Sequence, residues 1–86
     1  MHKNAYYQLA TRSIALAQSI KPLLAGKGPE AQGAALADLV ATWLAGHHPD
    51  LRQEIFREWQ DAVSRLVPVN EKIIFGDAGF PTGGVR

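Results

Sequence analysis

PDLRQEIFREWQDAVSRLV, residues Pro49 to Val67, repeats its apolar side chains with the period of an α-helix. Leu51, Ile55, Trp59, Ala62, Val63 and Leu66 fall on one face, while Asp50, Glu54, Glu58 and Asp61 form an acidic stripe on another. Asp61 and Arg65 stand in i,i+4 register, where opposite charges support a helix. Proline is favoured at a first helical position and removes a backbone donor at any later one, so Pro49 opens this helix and Pro68 is expected to close it. The predicted span is about 49–67.

Working upstream, the short Gly46-His47-His48 connection implies that the preceding helix is an antiparallel neighbour, making an αα-hairpin. That preceding helix is expected over 29–45, opened by Pro29, with Glu30 at the positive end of its dipole, and stopped by Gly46. Leu36, Leu39, Val40, Trp43 and Leu44 make its main apolar face. The opposite side is almost all alanine, Ala34, Ala37, Ala41 and Ala45, relieved only by Asp38 and Thr42. So little polar cover marks it as the central helix, and the small side chains let another helix approach closely.

A first helix is expected over 4–25. Tyr6, Leu9, Leu16, Ile20 and Leu23 follow a heptad stripe, Ser13 fills the missing step, and Gly26-Lys27-Gly28 breaks the helix. Pro22 predicts a kink or an end near Lys21. Downstream, Val69 to Phe75 reads as a short turn or extended piece, and Gly76, Gly79, Pro81, Gly83 and Gly84 predict an irregular tail over 69–86. The expected fold is all-α: one small three-helix domain over 1–86, with a central αα-hairpin and a Gly/Pro-rich C-terminal tail.

Charge divides the 86 residues unevenly. All eight acidic residues lie at or after Glu30, and the arm before it carries Lys3, Arg12, Lys21 and Lys27. This candidate basic face could lie against the acidic stripe of the third helix, or could serve a nucleic-acid-associated accessory protein. A net charge of +1 argues against a dedicated nucleic-acid binder, which needs a cationic excess to hold phosphate. The absence of cysteine excludes a disulfide scaffold, a thiol nucleophile and a cysteine zinc site, and points to the cytoplasm. No apolar run is long enough for a membrane span. The polar residues Gln8, Thr11, Arg12 and Ser13 interrupt any secretory-signal core, and a single arginine in the arm is poor support for a transit peptide.

His47 and His48, beside Asp50 and Glu54, are the one cluster that could support a metal-dependent enzyme. Adjacent histidines diverge and no recognised ligand spacing is present, so helix-capping roles are expected instead. The acidic stripe occupies a single helix face and offers no cleft in which one carboxyl pKa would be raised above another. Around Lys27 a phosphate loop fails, because Lys21 stands where its first glycine belongs and Gly28 where its Ser or Thr belongs. A DNA-reading helix-turn-helix around Gly46 fails as well, since Asp50, Glu54 and Glu58 on the second helix would repel phosphate.

What remains is contact surface. Trp43 and Trp59 are expected in the core or at an interface, while Phe75 and Phe80, without a helix to bury them, are expected to dock on the domain or on a partner. The expectation is a non-catalytic interaction or regulatory module with no cofactor and no metal. It is expected to self-associate, as a dimer first, or to dock on another protein, with Ala34, Ala37, Ala41, Trp43, Ala45, Phe75 and Phe80 as the candidate interface.

Overall fold

A computed structural model describes residues 2–82, with side chains from residue 5 onward. The protein is all-α: α1 (His2–Leu24), α2 (Pro29–Ala45) and α3 (Pro49–Phe75) follow in order, and the described residues contain no strand. The chain divides within α2 into two compact units, Met1–Val40 and Ala41–Arg86.

In the first unit, α1 runs through Pro22 to Leu24. The Ala25 N–H donates to the Lys21 carbonyl at 3.1 Å, so helical bonding resumes directly after the one donor that proline removes. Ser13 and Ser19 donate their hydroxyls to the carbonyls of Ala10 and Ala15 at 2.9 and 3.0 Å, the local bonding open to serine inside a helix. Gly26 and Gly28, with φ of 75° and 86°, then turn the chain through the left-handed region that glycine enters without steric penalty. The Gln32 side-chain amide donates to the Leu24 carbonyl at 2.8 Å and closes this turn.

In the second unit, α3 is longer than Pro68 predicts. It continues for about two more turns to Phe75 and is capped by Gly76, whose N–H donates to the Lys72 carbonyl at 2.8 Å. The expected end near Val67 and the expected tail from Val69 are therefore corrected. Proline withdraws one hydrogen bond, whereas the following residues, Asn70, Glu71, Lys72 and Ile73, have donors free to extend the ladder, and Gly76 supplies the real stop. Phe75 thus closes α3 and does not belong to a glycine-rich tail.

Neither unit has a buried residue among those described. Partial shelter is confined to a few positions: Ile20, Leu24, Gln32 and Val40 in the first unit, and chiefly Leu44, His47, Arg52, Ile55, Trp59 and Glu71 in the second. Trp43, expected in the core or at an interface, is 44% exposed. Trp59 is half-buried, stacked on Phe56 with centroids 5.9 Å apart.

Candidate functional site

The α2–α3 turn holds the densest polar geometry. His47 Nδ1–H donates to the Trp43 carbonyl at 2.8 Å, and the imidazole meets the Trp43 ring edge-on at 5.3 Å. His47 therefore closes the end of α2, where carbonyls are left without helical partners. His48 is the N-cap of α3: its Nδ1 accepts the Asp50 N–H at 3.1 Å. An acceptor nitrogen carries no proton, so the 3.8 Å separation of this same Nδ1 from the Asp50 carboxylate is not an ion pair while the cap is formed. The two adjacent imidazoles serve opposite helix ends. Among the described residues, no group of three or more His, Cys, Asp or Glu side chains converges in a way that could hold a metal ion.

Arg52 completes this turn, and sequence reasoning overlooked it. Its Nε donates to the His47 carbonyl and its Nη2 to the Ala45 carbonyl, both at 2.9 Å, so one guanidinium satisfies the carbonyl of the last residue of α2 and one in the turn that follows. The available signal was an arginine one turn into a helix that follows a short connection.

The acidic stripe is a solvated helix flank. Asp61 is paired with Arg65 of the same helix at 3.0 Å, with both side chains exposed. A shallow depression over Arg57, Glu58, Gln60, Asp61 and Ser64 lies wholly on α3 and has no wall from another element.

The basic residues do not gather on one side of α1. Arg12 and Lys21 are nine residues apart, about 180° around an ideal helix. Lys27 lies in the turn, and the Lys3 side chain lies outside the described residues.

The candidate interface residues fall into three places. Ala34, Ala37, Ala41 and Ala45 share one exposed side of α2, and Trp43 lies roughly opposite Ala41, with Leu36 and Leu39. Phe75 and Phe80 meet edge to face at 5.1 Å, with ring planes at 77°. The Phe80 N–H donates to Glu71 Oε2 at 2.7 Å, so the chain after Gly76 turns back onto the last turns of α3. Gly79, at φ 77°, allows this approach; a Cβ there would come within 2.8 Å of the same carboxylate oxygen. Val67, Asn70, Glu71 and Ile74 complete an apolar groove beside the two phenylalanines.

Comparison with protein-family models, with curated proteins and with solved structures finds no match to this chain. No described helix is long and apolar enough to cross a membrane.

Proposed function

We propose that this protein is a non-catalytic interaction module that acts through self-association, as a homodimer in the first instance. One observation carries the reading: no described residue is fully buried, and most of the large apolar side chains of the three helices are exposed, from Phe56 at 36% to Tyr6 and Ile73 at 75%. Covering one such side chain stabilises by about 1.5–3 kcal/mol. A chain of this size retains a folded state only if most of its apolar surface is covered. Exposed apolar area on this scale is the mark of a surface made for another protein.

The alanine side of α2 supports the reading, since Ala34, Ala37, Ala41 and Ala45 allow a second helix to approach closely. The hydrogen bonds of His47 and His48 serve helix ends, which favours a structural role for that turn over a chemical one. A cysteine-free sequence is suited to a reducing compartment, so the proposed location is the cytoplasm.

Sedimentation equilibrium at micromolar concentration tests the proposal. The expected result is a dimer or larger species whose helicity falls on dilution, because folding and assembly are then linked. Ala41→Glu tests the alanine side of α2 as the contact: it weakens the assembly if that side is desolvated by a second copy and leaves it unchanged if the contact lies on another helix. A monomer of undiminished helicity at all concentrations would overturn the reading.

A further inference from the structure

Because α3 runs on past Pro68, it carries a longer apolar seam than its first five turns show. Ile55, Trp59, Ala62, Leu66, Val69 and Ile73 follow at steps of four, three, four, three and four, a heptad stripe along one side of the helix. Pro68 falls outside the stripe, so its missing hydrogen bond does not interrupt the apolar surface. Beyond Ala62 the stripe is open: Leu66 and Val69 are 53% exposed.

We propose that this seam pairs with the same seam of a second copy, antiparallel and centred near Ser64. The inference rests on the self-association reading above and specifies the surface and direction of pairing.

Side-chain volume selects the direction. Centring at Ser64 sets Ile55 against the partner's Ile73, Trp59 against the partner's Val69, and Ala62 against the partner's Leu66. The largest residue meets a smaller one, and the smallest meets a leucine. Parallel pairing would place Trp59 on the partner's Trp59 and Ala62 on the partner's Ala62, an overfilled layer next to an empty one, and packing to protein density tolerates neither.

Charge selects the same direction. Glu58, Arg65 and Lys72 lie along one flank of the seam, and Phe56, Val63 and Asn70 along the other. Antiparallel pairing brings like flanks together, so Glu58 faces the partner's Lys72 and Lys72 faces the partner's Glu58. Arg65 meets the partner's Arg65 at the centre, but each is already held by its own Asp61 at 3.0 Å. On the other flank Val63 meets the partner's Val63 and extends the apolar seam. In the parallel arrangement the charged flank would face Phe56, Val63 and Asn70, which offer no countercharge. The surface available for pairing comes chiefly from Leu66, Val69 and Ile73, which are 53%, 53% and 75% exposed, because Ile55 and Trp59 are already half-buried within their own unit.

Engineered single cysteines test the arrangement cleanly, since the sequence has no cysteine of its own. After mild oxidation, Val63→Cys should form a disulfide-linked dimer, because the flanks that carry residue 63 face each other. Ala62→Cys should not, because it lies opposite the partner's Leu66. Crosslinking of Ala62→Cys without Val63→Cys would establish parallel pairing and overturn the inference. A dimer in sedimentation with neither variant crosslinked would place the contact on another face, overturning the inference while self-association stands. A monomer would remove both.

A charge cycle guards against cysteine variants that misfold. At low salt Glu58→Lys should weaken the dimer about tenfold, and adding Lys72→Glu should restore it to within about threefold. Equal weakening by the single and double variants would show that the two positions do not meet.

Discussion

The turn between α1 and α2 and the turn between α2 and α3 do the same task with different chemistry. In the first, Gly26 and Gly28 turn the backbone at positive φ, and a single neutral amide, Gln32, reaches back to the Leu24 carbonyl. In the second, no residue has positive φ, and three side chains, His47, His48 and Arg52, satisfy the helix ends. The first turn depends on what glycine permits; the second depends on side-chain hydrogen bonds. The difference teaches that a short connection can be specified either through backbone freedom or through polar partners. The two kinds of turn respond to opposite substitutions.

The largest expected effect is at Arg52. Arg52→Ala removes two charge-assisted bonds to carbonyls and should lower stability by about 1.5–2 kcal/mol, at the low end for charged bonds because the site is partly exposed. Denaturant midpoints at fixed protein concentration would check this, and a change below the error of the method would show that the guanidinium only decorates the turn. Gly28→Ala comes next. Forcing a Cβ into the left-handed region at φ 86° should destabilise by about 1–2 kcal/mol although no neighbouring atom obstructs it.

His48→Ala should follow, at about 1 kcal/mol for a lost N-cap, read as faster amide exchange over the first turn of α3. His48→Asn, which retains a cap acceptor, should recover most of that loss. Gln32→Ala should be milder, at about 0.5–1 kcal/mol for one neutral hydrogen bond, with faster exchange confined to the end of α1. The smallest effect, and the one with reversed sign, belongs to Gly46→Ala. Its φ is not positive and a Cβ would meet the Trp43 carbonyl at an ordinary 3.5 Å, so a gain of about 0.4 kcal/mol in thermal or denaturant stability is expected. If Gly46→Ala harmed the protein as much as Gly28→Ala, the contrast between the turns would fail.

The three helices were legible from periodicity and punctuation. Pro29, Gly46 and Pro49 are placed where one helix must stop and the next can start, and the 3.6-residue pattern of Ile55, Trp59 and Leu66 has no reading as a strand. Pro68 misled because a proline signals a lost donor and not a lost helix; Asn70 to Phe75 lie in helix beyond it. That misreading also concealed the C-terminal end of the α3 seam, since Val69 and Ile73 belong to the stripe only if the helix continues. Phe75 and Phe80 were recognisable as residues in need of a contact, but their mutual edge-to-face packing requires the reversal at Gly76 and Gly79.

The sequence by itself determined local matters: which segments are helical, where acid and base are distributed, and which helix faces are apolar. These follow from interactions within a few residues, which periodicity records directly. Only the tertiary structure decided that Arg52 binds the carbonyls of Ala45 and His47, that Gln32 binds the Leu24 carbonyl, and that Phe80 turns back to Glu71. It also decided that the apolar faces remain exposed within each unit. The physical reason is that such bonds join residues five to nine positions apart across a reversal of the chain. Their formation depends on the path of the turn, and no repeat in the sequence encodes that path.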